Sequence, residues 1–102
     1  MHGFKSEAEW HANKTLPNEC CGLVVNGSYW PCRNIADNPT EAFAINPYDY
    51  AMAMNSGNIQ AVVHSHPKGG APSKNDQKAC KYTNIPWYIY DVLNQKWFTI
   101  NP

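Results

Sequence analysis

The feature that most constrains the fold of this chain is the pair Asn26-Gly27. It sits between two β-forming runs, Cys21-Gly22-Leu23-Val24-Val25 and Ser28-Tyr29-Trp30. An Asn-Gly link of two residues is the strongest short hairpin signal, because both positions accept the positive φ that matches the twist of paired strands. The chain is therefore committed early to a tight antiparallel hairpin. A second apolar run, 59–63, is rich in β-branched residues and reads as a central strand covered on both faces, delivering His64 at its end. Two aromatic runs, Trp87-Tyr88-Ile89-Tyr90 and Trp97-Phe98-Thr99-Ile100, read as further strands, and the alternating stretch Ala42-Phe43-Ala44-Ile45 as another.

Between these strands lie segments with helical character. Residues 6–15 interleave polar side chains with Ala8, Trp10 and Ala12 and contain no breaker before Pro17. From Tyr48 to Met54, Tyr48, Met52 and the neighbouring alanines fit one helical face, with Pro47 suited to the first turn and Ser56-Gly57-Asn58 as the stop. The polar segment 73–82 reads as a third helix. The fold class is α/β: a single small domain over 1–102, a mixed, curved β-sheet flanked by helices.

Hydrophobic residues make up 43% of the chain and charged residues 16%, which permits one compact core and argues against disorder. Eight basic and eight acidic residues cancel, so electrostatics gives no reason to expect nucleic acid or an anionic membrane as partner. No apolar run approaches the roughly 20 residues that span a bilayer, and the N-terminus lacks the apolar core of a secretory signal. The expectation is a soluble, cytoplasmic protein. Cys20 and Cys21 are adjacent and no Cys-x-x-Cys pair occurs, so Cys20, Cys21, Cys32 and Cys80 read as reduced, buried thiols rather than as a disulfide framework or zinc knuckle.

The chemistry concentrates in His64-Ser65-His66-Pro67. In extended chain, residues two apart share a face, so both imidazoles are presented together, as two ligands of one metal would be. A bare His-x-His is more often a pair of polar loop residues. The downstream residues change the odds: a Gly/Pro loop, Lys68-Gly69-Gly70-Ala71-Pro72, leads to Ser73-Lys74-Asn75-Asp76 opening a helix. Ser-x-x-Asp is a capping box in its own right, yet it also brings a carboxylate back toward the strand end. Two histidines and a carboxylate bind zinc and leave one position open. A hydrolytic site needs a base as well, and Glu19, just before the hairpin, is a candidate. By its local sequence Glu19 is equally a solvated loop acid, while Glu7, Glu9 and Glu41 lie in segments that read as exposed faces.

These residues together resemble the JAMM (MPN-type) metallopeptidases, whose pattern is a glutamate near the first strand followed by His-x-His-Pro, a loop and Ser-x-x-Asp. The resemblance implies an architecture similar to cytidine deaminases, with His64, His66 and Asp76 as ligands of Zn2+, Glu19 as general base and Ser73 as hydrogen-bond donor to the oxyanion. Beyond the motif, the segments Pro17-Asn18-Glu19-Cys20-Cys21-Gly22-Leu23-Val24-Val25, Ala61-Val62-Val63 and Ile85-Pro86-Trp87-Tyr88-Ile89 resemble the branch found in phage tail-assembly proteins. The loop between Pro67 and Ser73 holds five residues, one fewer than is expected for that family, and this bears on the placement of Ser73.

The implied function is zinc-dependent hydrolysis of a peptide or isopeptide bond by a metal-activated water, on a protein or peptide substrate such as a phage tail component. The implied location is the host cytoplasm or the virion tail. The cell-wall cysteine peptidase domain that accompanies this one in many such tail proteins is not encoded in these residues. The insertions with which eukaryotic relatives grip ubiquitin are missing too, which argues against a deubiquitinase. Two alternatives use the same residues: a catalytically silent structural tail-assembly module, and a hydrolase acting on sulfur-carrier proteins or small substrates.

Overall fold

Asn26 and Gly27 both take positive φ, 50° and 83°, and the hairpin they close is one edge of a five-stranded sheet. The computed structural model describes residues 3–102. In chain order the elements are α1 (Gly3–Lys14), β1 (Cys21–Val25), β2 (Ser28–Cys32), α2 (Pro47–Ser56), β3 (Ile59–His66), α3 (Lys74–Thr83), β4 (Trp87–Asp91) and β5 (Lys96–Ile100). The strands lie in the order β2-β1-β3-β4-β5. Only β3 and β4 run parallel; the other neighbours are antiparallel. A parallel pair needs a crossover, and α3 supplies it. Pro31 is tolerated in β2 because that strand is an edge.

β3 occupies the centre and runs on to His66, three residues past the expected end. Its neighbours explain the extension. Cys21 pairs with His64 on one side, and Ile89, Tyr90 and Asp91 pair with His64, Ser65 and His66 on the other. The histidines therefore stand in the sheet itself. Alternation sorts the side chains into two layers. Cys21, Leu23, Val25, Val62 and Trp87 pack with Ala53 of α2 and Cys80 of α3. Val24, Tyr29, Ala61 and Val63 pack with Ala8 of α1. All four cysteines are free and buried, and burial pushes the thiols of Cys20 and Cys32 up to about 11 and about 12.

Three local expectations need correction. The stretch 42–45 forms no strand; it makes one isolated bridge, Asn34 to Ile45. The Asn34 side chain takes the place of a ladder: its amide donates to the Ala42 and Glu19 carbonyls, both at 3.0 Å, and its oxygen accepts from the Ala36 and Ala44 amides. The face of α2 expected to be buried is turned outward, with Tyr48 and Met52 exposed and Ala53 inside. Asp49, one helical turn before Ala53, is gripped by the Arg33 guanidinium at 2.9 and 3.0 Å and by its amide at 2.8 Å. In α1 only Ala8 and Ala12 are buried, while Trp10 is exposed beneath the Lys14 ammonium. Small side chains let that helix lie close on the sheet.

Candidate metal centre

His64 and His66 point to one face of β3. Ser65, between them, points to the other, where it is fully buried and its Oγ accepts the Cys20 amide at 2.8 Å. The Ser65 amide in turn donates to the Cys20 carbonyl at 3.2 Å. Antiparallel pairing of Cys21 with His64, continued two steps through Cys20 and Ser65, sets Glu19 opposite His66 on the same face. Glu19 is only 8% exposed, so the solvated reading of this acid is wrong. Its amide donates to the Pro39 carbonyl at 2.8 Å, and its carbonyl accepts from Asn34. Burial pushes its carboxyl up to about 7; Asp76 and Glu41 add to the rise, and His66 opposes it.

α3 brings in the third group. Ser73 caps the helix: its Oγ accepts the Asp76 amide at 3.0 Å, and Asp76 Oδ2 accepts the Ser73 amide at 2.9 Å. The capping box holds the carboxylate in place against the strand. Asp76 Oδ1 lies 3.2 Å from His64 Nε2 and Oδ2 lies 3.2 Å from His66 Nε2. Capping and convergence on the histidines are thus both properties of Asp76. Burial would raise its carboxyl, but hydrogen bonds from His64, His66 and the Ser73 amide overcome that and hold it far below the usual carboxylate range.

The two imidazoles are positioned differently. His64 is 1% exposed; Phe43 stacks on it at 4.3 Å and Trp87 meets it edge-on at 5.4 Å. Burial lowers its pKa, against the upward pull of Asp76. Among the described residues its Nδ1 is buried without a hydrogen-bond partner, so packing and the Nε2 contact with Asp76 hold this ring. His66 is held by a hydrogen bond from Nδ1 to the Gly70 carbonyl at 3.1 Å. A carbonyl only accepts, so Nδ1 carries the proton, and in the neutral ring the Nε2 lone pair faces a carboxylate oxygen. Two acceptors at 3.2 Å call for a cation between them, either a proton on the ring or a metal. One donor atom from each of His64, His66 and Asp76 lies within 4.8 Å of the others. Two imidazole nitrogens and one carboxylate oxygen form a fitting donor set for a metal ion with a further position open.

Glu19, His66, Ser73 and Asp76 line one cleft of about 350 Å³, together with Glu41, Phe43 and Trp87. An ion pair between Lys68 and Glu41 links the loops on either side. The shorter loop before Ser73 is accommodated by Gly69 and Gly70, with φ of +81° and +110°, a region that glycine enters without strain. Four further groups shape the site: Asn34, Phe43, Ser65 and Asp91. Ser65 was readable, since alternation sends it to the face opposite its histidine neighbours. A carboxylate ending an apolar strand marks Asp91. Nothing local marks Asn34.

Comparison with known proteins places these observations in a family. The model of the Prok-JAB family, prokaryotic homologs of the JAB domain, matches residues 6–100. The chain is similar to tail tip assembly protein K of Escherichia phage N15, with 42% identity over 97 residues, covering 90% of this chain and 40% of that protein. It thus spans two-fifths of the relative's length. Its fold is similar to the solution structure of a protein from Desulfitobacterium hafniense, with a TM-score of 0.74 and 25% identity over 94% of this chain and 76% of the other.

Proposed function

The chain belongs to the prokaryotic homologs of the JAB domain, near their phage tail branch, and from that premise we propose that it is a zinc-dependent hydrolase of peptide or isopeptide bonds acting in phage tail assembly. The observation that carries this reading is the convergence of two imidazole Nε2 atoms and a carboxylate on one point, with His66 Nδ1 turned away to the Gly70 carbonyl. Such a set is the donor set of a metal ion that keeps a further position open. His64, His66 and Asp76 would hold the zinc, which when bound supplies a Lewis acid that activates a water and polarises the scissile carbonyl.

The chain's own residues do the rest. Glu19, with its carboxyl raised to about 7 by burial, is poised to take a proton from the attacking water and return it to the leaving amine near neutral pH. Ser73 Oγ already accepts the Asp76 amide, so its hydroxyl proton is free to be donated to the carbonyl oxygen as negative charge grows there. Phe43 and Trp87 pack around His64 and shield it from water. The substrate class is a polypeptide, with tail components the first candidates in view of the relative's name.

Elemental analysis of the purified protein, followed by a panel of tail-derived peptide and isopeptide substrates with and without chelator, tests this. The expected result is about one zinc per chain and cleavage that stops with chelator. Glu19→Gln should keep the zinc and lose at least about 100-fold in rate, the scale of a positioned base. Cleavage that survives both chelator and Glu19→Gln would overturn the proposal. Stoichiometric zinc with no cleavage of any substrate would leave a structural tail module.

A further inference from the structure

The structure assigns to Asp91 the role of a positioning residue for the metal centre: it anchors Gly70, and through the Gly70 carbonyl it fixes the imidazole of His66. This inference rests on the reading of His66 as a metal ligand. Asp91 ends β4 directly beside His66 in the parallel register, and it is 1% exposed, which is rare for a carboxylate. Its two oxygens receive three N–H donors. Oδ1 accepts the Asn94 amide at 2.9 Å; Oδ2 accepts the Asn94 side chain at 2.8 Å and the Gly70 amide at 3.2 Å.

The bonds to Asn94 only shape the turn between β4 and β5. The bond to Gly70 does something else, because it reaches across to the loop that joins the second histidine to α3. Gly70 sits at φ +110°, and a Cβ there would meet nothing within 4 Å. No neighbour stands over its Cβ position, and the tether on its amide restrains the loop that carries its carbonyl. That carbonyl accepts from His66 Nδ1 at 3.1 Å. The other end of the loop is tied as well, since the His66 carbonyl accepts the Gly69 and Val92 amides. The chain of contacts from Asp91 to Gly70 to His66 Nδ1 turns Nε2 toward Asp76 and His64. Metal-binding imidazoles commonly have an acceptor on the second nitrogen; here the acceptor is a mobile residue type, and Asp91 removes the mobility.

Asp91→Asn keeps the size but has a single oxygen for three donors, so the Gly70 tether competes with Asn94. Asn94→Ala is the control, because it removes a partner of Asp91 and leaves the Gly70 contact. The measurements are zinc affinity by chelator competition and the His66 ring Nδ1 proton by nitrogen-correlated NMR of the zinc-loaded protein. The expected result is a zinc affinity about 10-fold or more weaker in Asp91→Asn, with the ring proton lost to solvent exchange, and neither change in Asn94→Ala. A purely structural Asp91 would lower the melting temperature of both variants alike and leave the ring proton in place, overturning the proposal. If Asp91→Asn does not fold, the parent still decides: a zinc-loaded His66 protonated on Nε2 rather than Nδ1 would also overturn it. A parent that binds no zinc would sink the metal reading and this inference with it. A parent that binds zinc, beside an Asp91→Asn protein of equal affinity, would sink this inference alone.

Discussion

Glu19 shows what a single residue gains from its place in the sheet. Its sequence neighbours say only that it precedes a strand. The pairing of Cys21 with His64 puts its carboxyl beside His66 and out of water. The consequence can be measured without any substrate. Its folded value of about 7 lies above the ordinary 4.5, so the acid is easily buried when protonated and costly to bury when ionised. In the metal-free protein its contribution to stability is therefore fully present below about pH 4.5 and is lost as pH rises through 7. Gln at this position cannot ionise. Thermal melts in chelator should show Glu19→Gln gaining on the parent between about pH 4.5 and 7, with the gap level above about pH 8. Because both proteins share His66, Asp76 and Glu41, the difference isolates Glu19. A gap independent of pH would mean that the carboxyl is not buried in solution.

At the scale of elements, α3 carries two tasks at its first turn. Asp76 closes the capping box and also faces both imidazoles. Asp76→Asn separates them, since an amide oxygen still accepts the Ser73 amide but the anionic oxygen proposed to hold the metal is gone. Chemical denaturation in chelator at about pH 8 should show a loss of about 1 kcal/mol or less, the worth of a cap. Zinc titration should show affinity reduced by more than about 100-fold, beyond the range of a change outside the ligand shell. Unchanged zinc affinity would make Asp76 a cap alone. The same element shows what is legible in sequence. Ser73 and Asp76 can be read as a helix start because capping is local chemistry, and the Asn26-Gly27 hairpin because turn chemistry is local too. The stretch 42–45 defies that reading because a distant polar side chain decides it: Asn34 occupies the backbone groups of 42–44. The two histidines are legible as a pair through alternation alone. Asn34 acts between loops, where a linear reading sees nothing.

For the molecule as a whole, the sheet places the site where the fold has most to gain from it. His64 and His66 belong to the central strand, and Asp76 belongs to the helix that crosses from β3 to β4. A metal held by all three ties the middle of the sheet to the layer that covers it. The unfolded chain has no preformed site, so on the proposed reading zinc would add to folding stability by mass action: about 2.7 kcal/mol when free zinc is about 100 times the dissociation constant. In a domain of about 100 residues each kcal/mol moves the melting temperature by roughly 4–8 °C, so zinc should raise it by on the order of 10–20 °C. Leu23, fully buried in β1, gives the comparison. Leu23→Ala should lower stability by about 2–5 kcal/mol through the lost packing, yet it leaves the donor atoms in place and should retain most of the zinc increment. His64→Ala should lose that increment while chelator-treated samples still melt cooperatively. Calorimetric scans of the three proteins with zinc and with chelator make the test. An equal rise in His64→Ala would put the zinc somewhere other than between β3 and α3.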